Sequence, residues 1–173
     1  MKHIFYHLAA VMVVVVWGMT FISTKVLIVH GLSPQEIFLF RFLLAYAAVC
    51  PISFHRFFAR NLKDELYLVG GGVLGGSLFF FLQNMALGLT QASNVSFIIC
   101  TTPLLTAALT VLSVRMEKVS RGFIHGSIVA LLGVGLLIFN GSFILRISPL
   151  GDLLTLLASL SWAFYSLVIR SLT

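Results

Sequence analysis

Six stretches of about 20 mostly apolar residues follow one another along this chain, each long enough to cross the hydrocarbon core of a bilayer as a helix. They run near Leu8 to Val29, Pro34 to Phe54, Leu66 to Leu89, Ala92 to Val114, Phe123 to Asn140 and Leu150 to Ile169. None alternates with a period of two, and all are too long for barrel strands, so helices are expected throughout. Apolar residues make up 60% of the sequence and charged residues 9%. A soluble domain carries about 25% charged residues, and no water-soluble surface can be assembled from this inventory. The expected fold class is therefore all-α integral membrane, with six transmembrane helices.

The breaks between windows have physical causes. His30-Gly31-Leu32-Ser33 leads into Pro34, which can begin a helix but not continue one. Charged loops are read at Asn61 to Glu65 and Arg115 to Arg121, a short turn at Thr90-Gln91, and a last loop from Asn140-Gly141 to Pro149. The N-terminus, Lys2 followed by Leu8 to Val16, mimics a signal peptide in outline. No small-residue cleavage site follows and the apolar run continues to Val29, so it is read as a retained first helix.

A net charge of +6 raises the question of nucleic acid, and the placement of the charges answers it. With six alternating spans, Lys2, Arg56, Arg60, Lys63, Arg115, Lys118, Arg121 and Arg170 share one side. Only Arg146 falls on the other, and Lys25 and Arg41 lie within spans. Eight against one is a positive-inside pattern, which puts the N-terminus in the cytoplasm. The charge is a topology signal and no nucleic-acid partner is expected. Cys50 and Cys100 sit inside apolar runs, with neither a disulfide framework nor metal-ligand spacing, so they are read as buried free thiols and no metal or cofactor is expected.

The chain also repeats itself. Leu8 to Lys25 aligns without a gap on Leu153 to Arg170, placing Trp17 on Trp162 and Lys25 on Arg170. Four apolar windows lie between the copies, so the repeat unit holds five. An odd number of spans forces the second copy to cross the membrane in the opposite sense, the signature of inverted-topology carriers. The division expected is a first five-helix repeat over residues 1–145 and the start of a second, inverted repeat over 146–173. On that reading the chain is a piece of a ten-helix protein. The alternatives are an assembly-dependent chain that self-associates or pairs with a missing C-terminal half, or a non-functional truncated product.

The motifs resemble the EamA-type carriers of the drug/metabolite transporter superfamily. They are W-G-x-x-F at Trp17 to Phe21 with Lys25 beyond, R-F-L-L-A at Arg41 to Ala45, and F-L-Q-N-M-A-L with A-S-N-V-S between Phe81 and Ser96. Pro103, Glu117, G-x-G at Gly133 to Gly135, Gly151 and W-A-x-Y at Trp162 to Tyr165 complete the set, in order along nearly the whole chain. The resemblance implies two inverted five-helix repeats with the substrate path between them, alternating access, and a bacterial inner (plasma) membrane. It does not name the small metabolite or drug-like solute carried.

Eight residues are candidates for the path: Trp17, Lys25, Arg41, Gln83, Asn84, Asn94, Pro103 and Trp162. Lys25, near a helix end, either snorkels to the interface or meets substrate. Arg41 lies about 10 Å past Pro34 at 1.5 Å per residue, and pairs either with carbonyls and Glu36 or with a ligand. If either binds substrate, that substrate is anionic or zwitterionic. Gln83, Asn84 and Asn94 either satisfy helix ends or line a polar path. The third span carries G-x-x-x-G at Gly71/Gly75 and again at Gly72/Gly76, and at 100° per residue Gln83 falls about 20° from Gly72. Pro103 interrupts the fourth span and frees a carbonyl. Trp17 and Trp162 are read as packing anchors or as a central gate. An intramembrane hydrolase is the competing class, but Gly76-Ser77-Leu78 lacks the following Gly of a nucleophile motif, and no enzyme is expected.

Overall fold

The computed structural model describes residues 2–53, 61–113, 120–139, 148–170 and 172. The window ends Phe54, Val114 and Asn140, and the loop residues Arg56, Arg60, Arg115, Glu117, Lys118, Gly141 and Arg146, lie outside them. The elements are α1 (Lys2–Val29), α2 (Pro34–Ser53), α3 (Leu62–Gly71), a π-helical segment (Gly72–Leu78), α4 (Phe79–Leu89), α5 (Ala92–Ile99), α6 (Thr102–Ser113), α7 (Arg121–Phe139) and α8 (Pro149–Arg170). No strand occurs among the described residues. Five helical stretches are long and apolar enough to cross a membrane: α1, α2, the continuous Leu62–Leu89, the broken Ala92–Ser113, and α8. The sixth window is α7, Arg121–Phe139, 19 residues long.

Local sequence explains the boundaries. Gly31 has φ of 100°, the left-handed conformation that glycine adopts without strain. Its N–H bonds to the Ile28 carbonyl while the Leu32 N–H reaches Leu27, the paired bonds of a Schellman C-cap that ends α1. Ser33 and Glu36 then form a capping box around Pro34. The Ser33 N–H donates to Glu36 Oε2 at 2.8 Å and the Glu36 N–H donates to Ser33 Oγ at 3.2 Å. Ser120 and Ser148 cap α7 and α8 through the N–H groups of Phe123 and Gly151.

The packing is inside out by the standards of a water-soluble protein. Ile4, Val11, Met12, Leu44, Ile52, Leu132 and Leu136 are exposed, while Thr24, Gln83, Asn84, Thr102, Thr155 and Ser159 are buried. Such a surface belongs in lipid. The most enclosed helix is α8, which packs against α3, the π-helical segment, α4, α5 and α6. Its buried residues are Gly151, Thr155, Ala158, Ser159, Ser161 and Ala163, all small, so neighbouring backbones can approach closely.

Close approach is most severe at Gly75, where a Cβ would lie 2.5 Å from Cγ of Tyr165. At Gly71 a Cβ would lie 2.9 Å from Cδ1 of Ile169. Gly72 has open space and Gly76 only an ordinary contact with Phe42, so Gly71/Gly75 is the packing pair and Gly72/Gly76 is not. The π-helical segment explains why Gly72 does not share a face with Gln83. In an uninterrupted α-helix, residues four apart drift by about 40° per step. The wider π turn winds that drift back, so Gly71, Gly75, Phe79, Gln83 and Leu87 form one buried ladder. Ser161 of α8 donates to the Leu74 carbonyl within this segment at 2.8 Å.

Contacts along the bundle fix helix directions. Trp17 meets Phe79 and Lys25 meets Leu87, so α1 runs parallel to α4. Gly151 meets Thr90, Ser161 meets Leu74, and Tyr165 and Ile169 meet Gly75 and Gly71, so α8 runs antiparallel to the same span. The two helices whose sequences align, α1 and α8, are thus oppositely oriented.

Candidate functional site

The repeated tryptophans come together at mid-bundle. The Trp17 and Trp162 rings are 5.6 Å apart between centroids, and Phe79 joins them at 6.4 and 4.8 Å. These rings are one wall of a cavity of about 860 Å³ between α1, α4, α5, α6, α7 and α8. From there it runs past Phe21, Ser96, Ile99, Cys100, Thr102 and Pro103, along Thr106, Ala107, Thr110 and Val111, to Ser120 and Phe123. Its lining therefore extends from the bundle middle to the end where α6 stops and α7 begins.

The break between α5 and α6 shapes the wall. Pro103 has no N–H for the Ile99 carbonyl. The chain tightens instead, with Thr101 N–H and Oγ1 both donating to the Ile98 carbonyl at 3.0 and 2.6 Å. Thr106 and Thr110 continue one face of α6 and donate to the Thr102 and Thr106 carbonyls at 2.9 and 2.8 Å. Ser96 does the same to Ala92 at 2.8 Å.

At the other end the bundle is shut. Phe21, Ala86, Leu87 and Val95 form a buried apolar cluster. Beyond it the Lys25 ammonium donates to the Leu87 and Thr90 carbonyls at 2.7 and 2.8 Å. These are C-terminal carbonyls of α4, which a cation caps favourably. Asn94 Nδ2 makes a long contact to Thr90 Oγ1 at 3.4 Å, and Thr90 Oγ1 another to Asp152 at 3.5 Å. The polar knot ties α1, α4, α5 and α8 together.

Of the eight candidates, Trp17, Pro103 and Trp162 line the cavity. Lys25 and Asn94 belong to the knot. The Arg41 guanidinium lies over the Phe80 ring, 4.7 Å from its centroid, and is not part of the cavity wall. Gln83 and Asn84 are buried to 0% and 1% exposure, and neither amide has a hydrogen-bond partner among the described residues. Sequence reasoning missed Ser96, Cys100, Thr106 and Thr110. The signal was present for part of this set, because Thr102, Thr106 and Thr110 recur every four residues in an apolar span and so share a helix face.

Comparison with known proteins gives a consistent picture. The model of the EamA-like transporter family matches residues 4–139. The chain is 28% identical over 171 residues to the uncharacterized transporter YcxC of Bacillus subtilis (strain 168), a match covering 96% of this chain and 54% of that protein. The chain thus spans about half the length of the curated relative it matches. No solved structure matches it.

Proposed function

The chain belongs to the EamA-like transporter family, and from that membership we propose that it is the path-forming part of a small-molecule carrier that works by alternating access. One observation carries this reading. A cavity walled by both repeated tryptophans is lined through to one end of the bundle, while the other end is held shut by apolar packing and by Lys25. A carrier needs one closed end at a time, whereas a continuous pore does not. The basic residues put the cavity's open end on the cytoplasmic side, with the N-terminus, and the bacterial inner membrane is the site we assign.

Residues 1–145 are read as the first repeat and 146–173 as the start of the second, in a ten-helix protein or an assembly that supplies the remaining helices. Trp17, Trp162 and Pro103 then bound the substrate path. Lys25 and Asn94 form the outer closure. Gln83 and Asn84 are buried amides that gain partners when the bundle rearranges, and Arg41 positions α2 against Phe80. The role is transport, not catalysis.

Cys100 is not the buried thiol its apolar run suggested: at the break between α5 and α6 it is exposed and lines the cavity, so it reports access. In the full-length polypeptide with every cysteine except Cys100 replaced by Ala, a membrane-impermeant maleimide is applied to inside-out and right-side-out vesicles. The carrier reading expects labelling from the cytoplasmic face and protection from the outer face. Equal labelling from both faces would indicate an open pore and remove the reading.

A further inference from the structure

The third span carries two glycine pairs of the same spacing, offset by one residue, and only one of them is packed against α8. Gly71 and Gly75 are buried beside Ile169 and Tyr165. Gly72 is exposed, with nothing within 4 Å among the described residues, and Gly76 touches only Phe42. Glycine is the poorest helix former after proline, so the second pair weakens a helix that gains no packing from it in this arrangement.

The π-helical segment Gly72–Leu78 lies across both pairs. A π turn holds one residue more than an α turn. Here the Phe79 N–H is directed at the Leu74 carbonyl, five residues back. Were the same residues wound as α-helix, the part of the span before the segment would rotate by one residue, about 100°, relative to α4. With Gln83 and Leu87 held on the buried face, that rotation replaces Gly71 and Gly75 by Gly72 and Gly76 on the side facing α8. Each pair is thus the close-packing face of one winding.

We infer that Gly72–Leu78 is a register switch, wound as π-helix with Gly71/Gly75 against α8 and as α-helix with Gly72/Gly76 there, and that Ser161 holds the first state. Ser161 Oγ donates to the Leu74 carbonyl at 2.8 Å, the same oxygen that the Phe79 N–H reaches. In the α winding that oxygen accepts from the Leu78 N–H, and residue 74 turns away from α8. The switch bears on the cavity because Phe79, which closes the segment, meets the Trp162 ring on its wall at 4.8 Å. It rests on the geometry of this span and not on the carrier reading.

Cysteine pairs read the register directly in the full-length polypeptide, its own cysteines replaced by Ala, in membrane vesicles. Copper phenanthroline drives disulfide formation, and N-ethylmaleimide followed by intact mass counts the thiols left. Gly75→Cys with Tyr165→Cys reports the observed winding and should close fastest. Gly76→Cys with Tyr165→Cys reports the other winding. Its reference is Ser77→Cys with Tyr165→Cys, because Ser77 is exposed and lies off the α8 face in either state. The Gly76 pair should close several-fold faster than this reference. Adding Ser161→Ala should speed the Gly76 pair by a further factor of about 2 to 10, the effect of losing one neutral hydrogen bond, and leave the reference unchanged. Gly72→Cys with Ile169→Cys, compared with Val73→Cys and Ile169→Cys, repeats the test with Tyr165 retained, so a Tyr165 variant that fails to fold does not decide it.

Gly76 and Gly72 pairs that close no faster than their references overturn the switch. A rate indifferent to Ser161→Ala overturns it too, since Ser161 would then not hold the π winding. One-sided labelling of Cys100 is a separate measurement, so the carrier reading stands or falls apart from either result.

Discussion

Lys25→Met is the substitution that reaches furthest into the proposed cycle. It keeps length and apolar bulk but removes an ammonium that donates to Leu87 and Thr90 at 2.7 and 2.8 Å. A hydrogen bond to a charged group contributes about 1.5–3 kcal/mol. Lys25 is half-buried at the bundle end, so solvent takes over part of both bonds. A net loss of about 2–3 kcal/mol from the closed arrangement is reasonable for the pair. At 1.4 kcal/mol per tenfold, the closed-to-open ratio at the outer end falls by about 30- to 150-fold. The assay is the rate at which impermeant maleimide labels Cys100 from outside in the full-length protein that keeps Cys100 as its one cysteine. Lys25→Met should raise that rate more than tenfold at unchanged membrane abundance, by the same arithmetic. Lys25→Arg, which keeps a cationic donor, should stay near the parent rate. An unaltered outer rate in Lys25→Met, with cytoplasmic labelling and abundance intact, would refute the latch. Lys25 would then be an interfacial cap with no part in access.

Gly75→Ala should cost about 1–3 kcal/mol through the clash with the Tyr165 ring and lower the melting temperature in detergent. Gly72→Ala, with nothing within 4 Å, should leave it unchanged or raise it. Equal effects would mean that α8 does not dock on Gly71/Gly75. Gln83→Leu and Asn84→Leu each remove a buried amide that has no partner among the described residues, which costs about 1–3 kcal/mol to bury. Both variants should therefore be as stable as the parent or more so, while counterflow in proteoliposomes falls. Loss of stability in step with transport would assign the amides to folding alone.

The fold was legible because its cause is crude. Only helices satisfy their own backbone across lipid, so runs such as Leu8 to Val29 could become little else. Helix ends were legible where a local device made them, as at Gly31 and at Ser33-Pro34-Gln35-Glu36. Phase was harder to read within the third span. Counting 100° per residue put Gln83 near Gly72, but the π-helical segment between them resets the count, and its Leu74 carbonyl finds a partner in Ser161 of α8, far along the chain. No local propensity encodes that choice.

The site shows the same division between what is covalent and what is folded. Trp17 and Trp162 stood out because repetition marked them, and Pro103 because it lacks a proton. Lys25 and Arg41 stood out because charge in an apolar span is costly, which made an anionic ligand the natural guess. The cost can be met in another way, however. A carbonyl pair at a helix end and a phenyl face both accept a cation, and both were invisible before α4 was packed against α1 and α2. On the cavity wall, Thr106 and Thr110 give their protons to helix carbonyls, whereas Trp17 Nε1 and Thr102 Oγ1 have no partner among the described residues, a difference that spacing alone does not encode.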